Sequence, residues 1–214
     1  MVKGRRVHLA SASSRRFALL KSRFEGESVE FSASGLIAEE SQPSNGLDVR
    51  SQVASILASK IENAQAEFTI VQNAGKQIPD YIIVADTLVE DPDDPTVSLG
   101  QPADKIGAAA MLLRLTGRRH NVWSGTAVIS KLSVGWEVKS AVEYATVEIK
   151  QLADSDFAEL LESDSWVGKA GAYDLAGEMR QFADLYAGSE MCVLGFAPSI
   201  IEDLIQRLSN DVKK

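Results

Sequence analysis

Five consecutive apolar residues, Tyr81-Ile82-Ile83-Val84-Ala85, are the feature that most restricts the fold of this chain. A strand with one face in water alternates apolar and polar residues, whereas an unbroken apolar run is typical of a strand buried on both faces. The run therefore predicts an inner strand of an α/β sheet with helices on both sides. Ligands of such sheets bind at the carboxyl ends of the strands.

Helical and strand-like segments are mixed along the rest of the sequence, which also favours an α/β architecture. Helical spacing and capping residues predict helices at residues 14–23, with Ser13 or Ser14 as the cap, and at 47–68, 102–115, 153–161 and 198–208. Strands are predicted at residues 5–10, 29–32, 81–85, 121–132, 136–149 and 191–196. The length of 214 residues fits one large domain or two small lobes.

Basic residues are concentrated at the start of the chain, although its formal net charge is −8. The first 24 residues contain seven Lys or Arg and no carboxylate. Small hydroxyl residues let the main chain approach a ligand, and paired arginines match phosphate oxygens. A helix that starts in this segment adds free N–H groups. We therefore interpret this segment as a polyphosphate-binding site formed by Ser11, Ser13, Arg15 and Arg16. The alternative is that the arginines are ordinary surface residues.

The rest of the chain contains no second basic stripe, so a nucleic-acid polymer is not an expected partner. No apolar segment approaches the length of a transmembrane helix, and no apolar run of signal-peptide length follows the basic start. A membrane partner is therefore not expected, and the cytoplasm is the expected location. Cys192 is the only cysteine, which excludes an internal disulfide and a cysteine-cluster metal site.

Asp86 and Thr87 follow the apolar run directly. A carboxylate at the end of a buried strand can be held by a partner, bind a metal, act as a base, or cap a turn with the help of Thr87. Hydrolysis of a phosphoanhydride needs a water activated by a carboxylate or a metal. We therefore favour catalysis over capping for Asp86. Lys60 lies on or beside the apolar face of helix 47–68, where the usual explanation is an ammonium group that reaches water.

Other candidates are less specific. Glu39 and Glu40 precede a turn and would be surface residues on their own, but in a phosphate site they become candidate ligands of Mg²⁺. Lys169 lies in the glycine-punctuated segment 167–173, which lacks the spacing of a Walker loop, although its lysine could close over phosphates.

The remaining basic side chains have structural explanations. Arg118 and Arg119 are expected to complement the dipole at the end of helix 102–115. His8 and His120 are the only histidines, and neither has a partner spacing that indicates zinc.

Five segments together resemble the Maf family, the septum-formation-inhibitor-like nucleoside triphosphate pyrophosphatases. They follow the order of the family and are spread over nearly the whole chain: residues 9–16 (LASASSRR), 58–60 (ASK), 85–87 (ADT), 115–122 (LTGRRHNV) and 168–173 (GKAGAY). Each segment is modest alone, whereas all five in order make the resemblance specific.

The resemblance implies an ITPase-like α/β fold, in which a mixed twisted sheet is flanked by helices. Residues 1–214 would form a single domain of two lobes with a central cleft. The implied activity converts a nucleoside triphosphate to the monophosphate and pyrophosphate with a divalent cation, Mg²⁺ or Mn²⁺. One branch of the family acts on dTTP and UTP, another on 7-methyl-GTP, and a homodimer is suggested.

The resemblance also implies roles for individual side chains. Asp86 would activate water, directly or through the metal, and Glu40 would be a second metal ligand. The remaining family positions would bind substrate, mainly its phosphates: Ser11, Ser13, Arg15, Arg16, Lys60, Thr87 and Lys169.

Three departures from the family pattern affect these expectations. Ser14 stands where the family usually has proline, which removes a rigid helix start but no charge. Gln101 replaces a lysine, so one cationic contact is missing. Ala176 replaces the glutamine of the dTTP/UTP branch, and an amide that could read a base edge is absent. The loss of the lysine motivates an alternative, a nucleotide-binding protein with weak turnover that acts in division control.

Overall fold

The computed structural model of this chain describes residues 4–39, 41–43 and 46–212. The strands are β1 (Arg5–Leu9), β2 (Val29–Ala33), β3 (Tyr81–Glu90), β4 (Ser98–Leu99), β5 (Arg118–Lys131), β6 (Trp136–Ile149) and β7 (Ala183–Ala187). The helices are α1 (Ser14–Arg23), α2 (Val49–Asn73), α3 (Lys105–Leu115), α4 (Asp154–Glu162), α5 (Glu190–Val193) and α6 (Pro198–Val212).

The seven strands form one mixed sheet in the order β2-β1-β3-β5-β6-β7, with the short β4 added to β3. β1 pairs in parallel with β2 and β3, whereas β5, β6 and β7 are antiparallel to their neighbours. The strands predicted at residues 121–132 and 136–149 are confirmed, and they pair with each other as an antiparallel hairpin, β5 and β6. The predicted fold class, an α/β structure with a mixed sheet flanked by helices, is also confirmed.

β3 is an inner strand that is buried on both faces, as its apolar run predicts. Ile83 and Ala85 pack into a cluster with side chains of α1 and α6, whereas Ile82 and Val84 pack into a second cluster with α2. Successive residues of a strand point to opposite faces, so α1 and α6 cover one face at β3 and α2 covers the other. A third cluster joins α3 and α4 to the C-terminal strands. The division into two lobes stays a prediction.

β3 is longer than predicted, because it continues through Asp86 to Glu90. Asp86 therefore lies inside the strand rather than after its end. β1 pairs with β3 only at residues 81–83, and β4 pairs with it only at residues 89 and 90. Between these two neighbours, residues 84–88 have a strand on one side only within the described part of the chain, and Arg16 of α1 contacts this edge of the sheet at Ala85 and Thr87.

Two other expectations are wrong. Residues 191–196 are not a strand, since Ser189 caps the short helix α5 by accepting the N–H of Met191 at 3.2 Å. A short apolar run does not by itself distinguish strand from helix. Arg118 and Arg119 do not act on a helix end, because they begin β5 and pair with Asp93 and Glu148.

None of the helices in the described ranges combines the length and the apolar character that crossing a membrane requires.

Candidate active site

The loop after β1, residues 10–13, separates two cavities. One of about 450 Å³, here called the arginine cavity, is lined by Ser11, Ser13, Arg15, Arg16, Thr87, Gln101 and Lys169, among others. The other, of about 250 Å³, here called the lysine cavity, is lined by Ala10, Gly35, Leu36, Glu39, Lys60 and Asn63. Ser11 and Ala12 line both cavities. A cavity of about 500 Å³ near Arg5 and Arg207 contains none of the predicted site residues.

The two serines of the predicted polyphosphate-binding site shape the start of α1. Ser13 caps the helix, because its Oγ accepts the N–H of Arg16 at 3.3 Å. Ser11 Oγ accepts the N–H of Ser13 at 3.2 Å. The helix begins at Ser14 as predicted, although the family's proline is absent. These hydroxyl groups position the arginines that follow them.

Arg16 is held by three acceptors of the protein. Its Nε donates to Gly195 O at 3.1 Å, Nη1 donates to Ala85 O at 3.2 Å, and Nη2 donates to Thr87 Oγ1 at 2.9 Å. The guanidinium therefore ties α1 to β3 and to the turn before α6. The adjacent-arginine pattern did not indicate these contacts, and the predicted role of Arg16 in binding phosphate stays a prediction.

The hydroxyl group of Thr87 links Arg16 to a second hydroxyl group in the core. Its Oγ1 lies 2.8 Å from Ser124 Oγ, which donates to Cys192 O at 2.7 Å. Since the proton of Ser124 is used there, Thr87 donates to Ser124 and accepts from Arg16. Every member of this chain has a partner, which fixes Thr87 in the wall of the arginine cavity.

Gly195 allows the close approach of Arg16. Its φ is +114°, and a Cβ at this position would lie 2.7 Å from Arg16 Nε. We expect Gly195→Ala to lower the free energy of unfolding by about 1–3 kcal/mol, because it combines backbone strain with a displaced guanidinium. Urea denaturation measures this. Gly135→Ala is the matched control, since its φ is +77° but no atom lies within 4 Å of the added Cβ. Equal losses in both variants would contradict the contact with Arg16.

Arg15 and Lys169 meet at one acidic side chain. Arg15 Nη1 lies 3.5 Å from Asp174 Oδ1, and Lys169 Nζ lies 3.6 Å from Asp174 Oδ2. The loop that carries Lys169 is anchored where Gly171 donates its N–H to Gly100 O at 3.1 Å. The sequence pattern did not predict this contact or single out Asp174.

Asp86 pairs with Lys60 on the α2 side of the sheet. Lys60 Nζ lies 2.8 Å from Asp86 Oδ1 and 3.4 Å from Ala85 O. Lys60 is 9% exposed, so the expectation that its ammonium group reaches water is wrong. A buried lysine beside a carboxylate is stabilised by that charge, which is why this polar pair fits inside an apolar sheet.

The predicted site residues are thus divided between two sides of the loop. Arg15, Arg16, Thr87 and Lys169 line the arginine cavity, whereas Lys60 lines the lysine cavity. Asp86 lines neither cavity and reaches the site through its contact with Lys60. The two sides remain adjacent, because Arg16 contacts Ala85 and Thr87, the residues before and after Asp86.

The family model described as "Maf-like protein" matches residues 6–208. The chain belongs to this family. A "dTTP/UTP pyrophosphatase" of Desulfitobacterium hafniense (strain Y51) is 32% identical to this Maf-like chain over 201 residues, which cover 94% of the chain and 84% of the relative. A protein of the same name in Hydrogenovibrio crunogenus is 29% identical over 206 residues, covering 96% and 97%. One in Caldanaerobacter subterraneus subsp. tengcongensis is 30% identical over 205 residues, covering 94% and 88%.

Oxygen donors for a divalent cation are present near the lysine cavity of this Maf-like chain. Glu39 lines that cavity and Asp86 contacts its lysine. In the part of the chain that the structure describes, no three His, Cys, Asp or Glu side chains are grouped to hold a metal. Mg²⁺ is typically bound by one or two carboxylates together with substrate phosphates. The donor set therefore fits a cation that is shared with a nucleotide. Glu40, the other predicted ligand, lies outside the described residues.

A buried histidine supports the segment next to Asp174. His120 is 3% exposed, and its Nε2 lies 2.8 Å from the hydroxyl oxygen of Tyr173. Its Nδ1 is buried and has no hydrogen-bond partner among the described residues. Burial lowers the pKa of His120 from 6.5 to about 4.

This shift predicts a pH-dependent stability. Between pH 6.5 and about 4 the unfolded chain binds a proton at His120 that the folded chain does not, so stability falls as the pH falls through this range. The loss is about 3 kcal/mol for a shift of this size. We expect His120→Gln to lose less stability than the unchanged protein between pH 7 and 4, as measured by urea denaturation. Parallel pH profiles would contradict the assignment, because the other titrating groups are shared.

Proposed function

We propose that this Maf-like chain hydrolyses the α–β phosphoanhydride bond of a nucleoside triphosphate. Water attacks the α-phosphorus, the bond to the bridging oxygen breaks, and the products are the monophosphate, pyrophosphate and one proton. The observation that carries the proposal is the adjacency of the arginine cavity and the Asp86–Lys60 pair across the loop of residues 10–13.

The cations of the arginine cavity bind the triphosphate tail in this proposal. Arg15 presents a planar guanidinium that can bind two phosphate oxygens, and Lys169 adds a point charge from a loop. Arg16 keeps α1 in place against β3 through its contacts with Ala85 and Gly195. The serine-capped start of α1 adds the positive end of a helix dipole.

Asp86 is the proposed base. It accepts a proton from the attacking water, while Lys60 holds its Oδ1 at 2.8 Å and limits how the carboxylate can rotate. A divalent cation, Mg²⁺ or Mn²⁺, would be held by Asp86 with Glu39 or Glu40 and would neutralise phosphate charge. The position of Asp86 inside β3 gives the base a rigid support.

The preferred substrates in this proposal are dTTP and UTP, as in the names of the three relatives. A panel of dTTP, UTP, dCTP, ATP, GTP and 7-methyl-GTP, each with Mg²⁺ or Mn²⁺, tests it through the release of pyrophosphate. Pyrophosphate release that is fastest from dTTP and UTP supports it. Fastest turnover of 7-methyl-GTP would instead assign the chain to the branch of the family that acts on that nucleotide. Release of orthophosphate would contradict the proposal that the α–β bond is cleaved.

One observation favours a second candidate, a nucleotide-binding protein with weak turnover that acts in division control. Gln101 lines the arginine cavity where the family pattern has a lysine, so this wall lacks one positive charge. Binding of dTTP without pyrophosphate release would favour this candidate, and faster hydrolysis by Gln101→Lys would identify the missing charge as the cause.

Two further expectations accompany the proposal. The homodimer stays a prediction that sedimentation equilibrium can test. The cytoplasmic location also stays a prediction, and fractionation of the source cells can test it.

A further inference from the structure

Asp174 bridges two of the cations that are proposed to bind phosphate. Its two carboxylate oxygens face different cations, Arg15 at 3.5 Å and Lys169 at 3.6 Å. These three side chains are only 19–21% exposed, so the charges meet in a partly desolvated environment. An anion between an arginine and a lysine has the arrangement that a phosphate oxygen pair would have in the same cavity.

The carboxylate is held by the main chain and not by the cations alone. Asp174 Oδ1 accepts the N–H of Ala176 at 3.1 Å, and the neighbouring Tyr173 is fixed by His120. The two ion pairs are longer than the 2.7–2.9 Å of a strong charge-assisted hydrogen bond. Asp174 can therefore stay in its turn while Arg15 and Lys169 exchange it for another anion.

Asp174 does not itself line the arginine cavity, but its carboxylate offsets the charge of two cations that do. Arg16 is tied to three protein acceptors, so Arg15 and Lys169 are the cations best placed to follow a ligand. Both of them face Asp174. A polyphosphate that enters the cavity must compete with this internal anion for the same two partners.

We infer that Asp174 is a specificity-determining residue that competes with phosphate for Arg15 and Lys169, and that it thereby weakens the retention of pyrophosphate more than that of a monophosphate. This inference rests on the proposed function. Ligands with more charge gain more from these two cations, so the competition affects pyrophosphate more strongly than a monophosphate. Asp174 thus favours the release of product.

The test is calorimetric binding of inorganic pyrophosphate and of UMP to the whole chain and to Asp174→Asn. Asparagine keeps an oxygen that accepts the N–H of Ala176 and removes only the charge. We expect the Kd for pyrophosphate to fall about 2- to 30-fold, the range that two partly exposed ion pairs cover, with a smaller change for UMP. The gain should shrink at high salt, because the effect is electrostatic.

Two controls separate charge from structure. Asp174→Glu keeps the charge and should not tighten pyrophosphate binding. Asp184→Asn removes a carboxylate from an exposed pair with Lys150, outside the two cavities, and should leave the Kd unchanged. If Asp174→Asn fails to fold, Asp174→Ser takes its place with the same expectation.

The outcomes distinguish this inference from the proposed function. If the unchanged protein binds pyrophosphate and the uncharged variants bind it no more tightly, the inference is overturned. If the unchanged protein binds neither pyrophosphate nor dTTP, the proposed function itself is contradicted, and the inference that rests on it is contradicted as well. Equal tightening for UMP and pyrophosphate would also overturn the inference, since charge competition predicts a difference.

Discussion

Asp86→Asn is expected to lower kcat for dTTP hydrolysis about 10²- to 10⁴-fold, the range that a positioned general base contributes. Asparagine cannot accept the proton of the attacking water, although its oxygen can still accept a hydrogen bond from Lys60. Binding of the triphosphate should change little, because the cations that bind phosphate line the arginine cavity and Asp86 does not. Steady-state pyrophosphate release measures kcat, and calorimetry with dTTP measures binding.

A second buried carboxylate provides the control for this variant. Asp91 is 3% exposed and pairs with Arg114, and it lines neither the arginine nor the lysine cavity. Asp91→Asn should lower the free energy of unfolding while keeping turnover. Turnover by Asp86→Asn within about threefold of the unchanged protein would contradict the role of Asp86 as the base.

Arg15→Ala is expected to lower kcat/KM about 10- to 150-fold, with KM raised and kcat lowered together. The range corresponds to a hydrogen bond to a charged group, about 1.5–3 kcal/mol. Arg15 differs from Arg16, because its guanidinium pairs with the side chain of Asp174, whereas that of Arg16 donates to main-chain oxygens of Ala85 and Gly195. Its loss therefore removes a ligand contact and leaves α1 attached to β3.

Arg15→Lys is the matched control, since it keeps the positive charge and loses the planar fork. An intermediate kcat/KM would show that geometry as well as charge matters. An unchanged KM in Arg15→Ala would contradict the proposal that Arg15 binds the phosphates.

The sequence was sufficient for the features that depend on local pattern. The start of α1 follows from its capping serines, and the burial of β3 follows from its apolar run. The placement of Lys60 on the apolar face of α2 was also readable. Its partner was not, because the carboxylate is 26 residues away and belongs to a different element.

The site required contacts that local pattern does not encode. Arg16 donates to Gly195 across 179 residues, and the turn at Gly195 was hidden in an apolar run that resembles a strand. The contacts of Arg15 and Lys169 with Asp174 depend on how the loop of residues 167–174 folds back towards α1. The predicted end of β3 was wrong because Asp86 was interpreted as the end of the strand. The ion pair with Lys60 instead allows Asp86 to lie inside the strand.

The position of Asp86 inside β3 has a consequence for how this chain can change over time. Asp86 is carried by a strand of the hydrophobic core, while the two cavities next to this strand are lined in part by the loops of residues 10–13 and 167–169. Loops tolerate substitution and insertion better than strands do. Under the proposed function, drift in those loops can alter which nucleotide is admitted while the proposed base stays in register. Substrate range and bond-breaking chemistry can thus evolve separately in this protein.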